Sequence, residues 1–446
     1  MQPICKEMSR KKRAIYGILT ASISYFVLIV VQIVLSPLIL KRYGQETLGA
    51  YASIMQLIGY LTLLDAALNF TFNRFIAQAY GSADQDFQVT RAFVAARALT
   101  TALGLLNAAL IVLVIPFVSL LFDIGGSLEQ DMQMALLILA IGTALRSPFM
   151  VYATFLNASQ QMAFLNIVST TAGVSRGLLI LLLVQLNWGI TGIIFGSLIA
   201  EFLGSIACFA FFRLKSKNLL SAGWKVDLSY LKELTLFGKD SLIIQVVNKI
   251  RFQTDTLLVG IFLSVSAASV FYSSITPPMM CFTLANLVMS NTLPGMNEII
   301  GGGDAAKIKE IYLRLFRYVA LMAFIVLVGI SLLNKYVVTL WVGIEQHAGW
   351  RVDILFALQA SLLIINSFNG NFLVAMGRIN VIAKLSTWIT IAGLVLSVIM
   401  LKYFGMVGLM TSTLLVLVYG TFVSFRLTEK IFAERIFFRR LTYWSY

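Results

Sequence analysis

Charge is scarce in this sequence. Asp, Glu, Lys and Arg make up 12% of its 446 residues, about half of what a soluble globular domain carries. With 59% hydrophobic residues and a mean hydropathy of +0.87, that scarcity excludes an ordinary soluble fold. Cysteine is nearly absent. Cys5, Cys208 and Cys281 are isolated in sequence, and two of them fall inside apolar stretches, so neither a disulfide framework nor a zinc site is expected. The one histidine, His347, falls in a loop. Nor is a cleavable signal peptide expected. The first apolar run, 15–40, is too long for one and follows Lys11, Lys12 and Arg13, so it reads as a span.

Apolar stretches of bilayer-crossing length, about 20 residues each, recur along the whole chain. Twelve spans are expected, at about 14–40, 47–72, 93–121, 131–155, 163–186, 189–212, 235–263, 267–291, 311–340, 352–375, 379–401 and 405–425. The formal charge of +14 would suit nucleic acid in a soluble protein. Here it is concentrated in short loops and tails, where the positive-inside rule and anionic headgroups account for it, and no nucleic-acid partner is expected. With the N-terminus inside, Lys and Arg crowd the cytoplasmic segments, while the opposite side holds only five, Lys41, Arg42, Lys335, Arg351 and Lys402. Both termini are therefore expected in the cytoplasm.

The expected fold is an all-α integral membrane protein of two six-helix lobes in a parallel repeat around a central cavity. Residues 1–212 form the first lobe and 235–425 the second. Between them, 213–234 places Leu220, Trp224, Leu228, Leu231 and Leu234 at helical spacing among lysines, the pattern of an amphipathic helix on the cytoplasmic face. The tail 426–446 is similarly basic and amphipathic. The halves echo one another. GAYASI at 49–54 aligns with VFYSSI at 270–275, GSAD at 81–84 with GGGD at 301–304, and thirteen residues after Asp84 and Asp304 stand Arg97 and Arg317. Repeats six spans apart keep the same orientation, the plan of transporters that rock about a midplane site.

Two windows carry a resemblance. RYGQETLGAYASIMQLIGYLTLLDAALNFTFNRFIAQAYGSAD at 42–84, and DTLLVG, VFYSSITP, LPGMNEIIGGGD within 255–304, resemble the polysaccharide exporter family of the multidrug/oligosaccharidyl-lipid/polysaccharide superfamily. Ala67 departs from the glycine usual there. The resemblance is to Wzx-type O-antigen or exopolysaccharide flippases, transporters rather than enzymes. It implies export of an undecaprenyl-pyrophosphate-linked oligosaccharide across a bacterial inner membrane by alternating access. A polysaccharide polymerase or glycosyltransferases would be its partners, as in lipopolysaccharide biosynthesis. A multidrug exporter of the same architecture is the rival. An integral-membrane glycosyltransferase or polymerase would need a catalytic loop larger than the longest outward connection, about 341–351. The Asp84-Gln85-Asp86 run lies in a short turn with no partner motif and reads as turn chemistry.

Against this apolar background a few ionisable residues fall within spans: Asp65, Arg146, Arg176, Glu201, Lys249, Arg251 and Asp255. A central charge costs about 2.5–3.5 kcal/mol on insertion scales, so such groups face a bundle interior or a watery cavity. Arg251 and Asp255 are four apart and can meet on one helix face; Lys249 points elsewhere. Four bases against three acids leave one positive charge, which suits an anionic headgroup. Arg146, Arg176, Lys249 and Arg251 are the candidate substrate ligands. Asp65, Glu201 and Asp255 serve either as salt-bridge partners or as carriers of a coupling cation, H+ or Na+. No other cofactor and no structural metal is expected. The alternative for the whole set is interhelical ion pairing.

Overall fold

The computed structural model describes residues 10–61, 72, 75–76, 84–122, 124–159, 161–215, 227–228, 230–232, 234, 254–301 and 304–432. All regular structure among them is helical: α1 Arg10–Leu61, α2 Gln85–Val114, α3 Val118–Phe122, α4 Gly126–Ala158, α5 Met162–Gln185, α6 Gly189–Lys215, α7 Asp255–Phe262, α8 Val265–Gly301, α9 Ala305–Val342, α10 Trp350–Ala375 and α11 Ile379–Ile431. One-turn 3-10 segments, Ile115–Phe117 and Ile344–Gln346, interrupt the sequence of helices. Eight helices among the described residues are long and apolar enough to cross a membrane, and this is a multi-pass membrane protein.

Two of those helices are too long for one crossing. At 1.5 Å per residue, the 52 residues of α1 and the 53 of α11 extend about 80 Å, against a hydrocarbon core of about 30 Å. Each is broken once, at a glycine in the left-handed region: Gly44 at φ 85° and Gly405 at φ 60°. Residues bearing a Cβ rarely adopt that conformation, so the glycines mark where one crossing ends and the next begins, close to the sequence boundaries at 40/47 and 401/405. The remaining spans agree with the described helices to within a few residues, except that α2 begins eight residues before 93, α9 begins six before 311 and α8 runs ten past 291. Of the span expected at 235–263, only the end from Thr254 is described. Asp84 and Asp304 take the N-cap positions of α2 and α9, and the Asp304 carboxylate accepts from the amides of Ala306 and Lys307.

Two compact units divide the chain, Met1–Lys249 and Ile250–Tyr446. In the first, α2 packs on α4, α4 on α6, α6 on α5 and α5 on α1. Its core is aromatic: Phe93 stacks on Phe212 with centroids 5.2 Å apart, Phe155 meets Phe212 edge-on, and Tyr152 packs on Phe209. Arg97, buried among them, lies with its guanidinium over the Phe93 ring at 5.8 Å. Asp227 and Tyr230, from the connecting segment, hold Arg91 of α2 by an ion pair of 2.5 Å and a cation–π contact of 4.5 Å. In the second unit α10 packs against α8, α9 and α11. The apolar residues left on the surface, such as Phe26, Phe324, Leu332 and Leu340, are those a lipid environment would cover.

Each unit also staples the start of its fourth crossing with an aspartate. In α4, Asp131 accepts from the backbone amides of Ile190 (2.6 Å) and Thr191 (3.1 Å), holding the first turn of α6. In α10, Asp353 accepts from the Asn334 amide (2.6 Å) and pairs with His347 Nε2 (2.5 Å), both partners buried. Asn334 reaches the Ser274 carbonyl, and the Ser274 hydroxyl donates to the Gln346 carbonyl. His347 is a loop residue, as its sequence context implies, but a buried one.

Candidate functional site

A cavity of about 350 Å³ opens within the first unit, bounded by α1, α4, α5 and α6. Each helix contributes one stripe. Residues Glu201, Gly204, Ser205 and Cys208 follow the 3–4 spacing of a single helical face, as do Leu165, Val168, Ser169, Ala172, Gly173 and Arg176. Arg146 comes from α4 and Leu28 from α1. Three of the sequence-selected charges, Arg146, Arg176 and Glu201, therefore stand on three helices around one space. Near Arg146 the helix runs through Pro148 without a non-helical residue. Proline has no N–H for the carbonyl four residues back, and the Ser147 hydroxyl satisfies that Ala144 carbonyl instead, at 2.9 Å.

The two arginines differ. Arg146 Nη1 is ion-paired to Glu201 and its Nε donates to Ser205 Oγ at 3.1 Å. Ser205 Oγ in turn donates to the Glu201 carbonyl at 2.9 Å. With Nε and Nη1 both engaged, each hydrogen-bonding edge of this guanidinium has one position filled, and Nη2 is what the cavity is offered. The Arg176 side chain makes no hydrogen bond or ion pair with another described residue. The cavity lining thus carries two cations and one anion, with the excess charge on Arg176.

In the second unit, Asp255 begins α7 and takes a side-chain hydrogen bond from Gln359 of α10. It lines a separate, smaller cavity of about 60 Å³ with Thr254, Gln359, Thr390, Ser397 and Thr413. Gln359 Oε1 and Thr390 Oγ1 are buried without a hydrogen-bond partner among the described residues. Asp65, Lys249 and Arg251 lie outside the described residues, and with them the expected Arg251–Asp255 pair. Trp188 and Trp350 are exposed, the first stacked on Phe195 and the second under the Arg351 guanidinium.

A family model described as "Polysaccharide biosynthesis protein" matches residues 39–348, most of the chain. The chain belongs to that family. No curated protein matches its sequence. Several solved structures share its fold. An inward-facing multidrug resistance MATE family transporter of the MOP superfamily is 16% identical, covering 97% of this chain and 98% of that one, with a TM-score of 0.71. The lipid II flippase MurJ in an inward closed conformation is 14% identical, covering 92% and 87%, with a TM-score of 0.72. A MOP superfamily transporter from Pyrococcus furiosus, whose binding pocket is described as reversed in polarity, is 16% identical, covering 94% and 96%, with a TM-score of 0.63. At these identities the likeness speaks for the fold.

What this polysaccharide biosynthesis family member has in its first unit is chemistry for holding an anion: a guanidinium with its donors open, a second one held in place, and hydroxyls beside them. Sequence reasoning missed Ser205, although it stands four residues after Glu201 and so on the same face. It also missed Gln359 and Thr390, which are uncharged and carry no hydropathy signal that separates them from other polar residues in spans.

Proposed function

We propose that the protein is a flippase that moves an undecaprenyl-pyrophosphate-linked oligosaccharide, an O-antigen or exopolysaccharide repeat unit, from the cytoplasmic to the periplasmic leaflet of a bacterial inner membrane. Alternating access between its two lobes, with boundaries near 212/213 and 234/235, carries the cargo, and both termini face the cytoplasm. One observation carries the reading: Arg146, Arg176 and Glu201 line a single cavity of about 350 Å³ with one positive charge in excess. That volume lies at the lower end of ligand sites and suits a pyrophosphate headgroup rather than the whole glycolipid. The excess of base disfavours the lipophilic cations a multidrug exporter would carry. Lys249 and Arg251, outside the described residues, are proposed as further substrate ligands on their charge alone, and Asp65 as a charge-balancing group. The Asp255 pocket sets a carboxylate, an amide and hydroxyl oxygens among apolar side chains, and these hard oxygen donors suit a small coupling cation such as Na+.

Deleting the gene should make lipid-linked oligosaccharide accumulate on the cytoplasmic leaflet, measured by mass spectrometry of extracted lipids. Arg176→Ala at normal protein level should reproduce that accumulation, while Arg176→Lys restores part of export because charge returns without the planar fork. Full export by Arg176→Ala would remove the cavity from the mechanism.

A further inference from the structure

A cationic cavity in a bilayer faces a competitor present in great excess, the phosphodiester headgroups of the membrane itself. We propose that Glu201, with Ser205, is the specificity device that makes this cavity take a diphosphate and refuse a monophosphodiester. The inference rests on the anion-site reading above and assigns Glu201 a positioning role at that site.

The two guanidinium groups are held differently. Arg176 has no partner among the described residues, whereas Arg146 is engaged at Nη1 by Glu201 and at Nε by Ser205. A phosphodiester carries one negative charge on one phosphorus centre. Arg176 alone neutralises it, and the two-pronged edges of Arg146 are closed to it, because each has one donor already bound. A diphosphate linking lipid to sugar brings a second phosphate with a second charge. That phosphate meets Arg146 first at Nη2 and then exchanges with the Glu201 carboxylate for the same guanidinium. One anionic partner replaces another, so the cation is never stranded. The Glu201 side chain is 40% exposed and that of Arg146 30%, so the released carboxylate turns into the water of the cavity and not into packed protein. Glu201 thus sets a threshold: only a ligand with two adjacent phosphates gains both arginines.

The test uses the purified full-length protein in lipid nanodiscs, with symmetric dimethyl pyrophosphate and dimethyl phosphate as the probes. Affinities are measured by titration, and folding is checked by thermal unfolding. Wild-type protein should prefer the diphosphate by about tenfold or more, which corresponds to about 1.4 kcal/mol. Glu201→Gln keeps an oxygen toward Arg146 but removes the competing charge, and Ser205→Ala opens the Nε edge. Both should bring the ratio to within about threefold by tightening the monophosphodiester, while Glu201→Asp keeps most of the preference. Arg176→Ala should weaken both ligands together. If both folded variants, Glu201→Gln and Ser205→Ala, retain the wild-type ratio while Arg176→Ala weakens both ligands, Glu201 does not discriminate, although the anion site stands. If wild-type protein binds neither probe, the anion site and this inference fail together.

Discussion

Arg146 and Arg176 are alike in sequence terms, one mid-span arginine on each of two adjacent helices, and the structure separates them by their partners. Arg146 shares its charge with Glu201 and Arg176 does not. Removing one member of an interior ion pair strands the other, whereas removing both leaves nothing to desolvate. Arg146→Ala should therefore lower the unfolding temperature, at a cost of about 1–2 kcal/mol for a pair this hydrated. Arg146→Ala with Glu201→Ala should recover part of the loss, and Arg176→Ala should leave stability near wild type. A double-mutant cycle by thermal unfolding measures the coupling; equal losses for the two single arginine variants would contradict the assignment. The convergence of Arg146, Arg176 and Glu201 was legible in the sequence because a charge in a span needs a reason, and a shared cavity is the commonest one. Ser205 was not legible. Serine is common in membrane helices, and only three-dimensional placement shows which one holds a guanidinium.

The helices themselves were readable from hydropathy because each must bury its backbone hydrogen bonds internally and face lipid with apolar side chains. Their ends were less so. Helix α2 starts at Gln85, after the Asp84 cap, where hydropathy alone places the start at 93, because a helix can emerge from the apolar layer and continue among polar residues. What fixes one such end is Asp131, which accepts the first amides of α6. Those amides belong to the initial turn, where no intrahelical acceptor exists. Asp131→Ala should therefore cost about 2 kcal/mol, the value of charge-assisted hydrogen bonds to orphan donors. Asp131→Asn should cost less, since its amide oxygen still accepts. Thermal unfolding of both variants, with hydrogen exchange at Ile190 and Thr191, checks the order.

Across the whole molecule, Asp84 and Asp304 both stand at helix starts, at the positions the sequence pairs through GSAD and GGGD. The segment joining the halves has the spacing of an amphipathic helix. Its described portion engages the first unit through Asp227 and Tyr230, a tertiary contact that periodicity could not specify. Orientation remains the most direct whole-chain test. Cysteine placed at exposed Glu345 should react with an impermeant maleimide in intact cells, and cysteine at exposed Glu310 should react only after permeabilisation. The reverse pattern would invert the topology and the direction of export. Finally, the two aspartate staples differ in what mutation can do to them. Asp131 in α4 grips two main-chain amides, which every residue but proline supplies, and draws in one partner side chain, the Thr191 hydroxyl. Asp353 in α10 relies on the particular side chains of His347 and Asn334, and substitution of either breaks it. Replacing Thr191 should therefore leave both amide bonds of the first unit's staple in place, whereas replacing His347 or Asn334 removes a bond from the second unit's, an inequality that thermal unfolding of the three variants would measure.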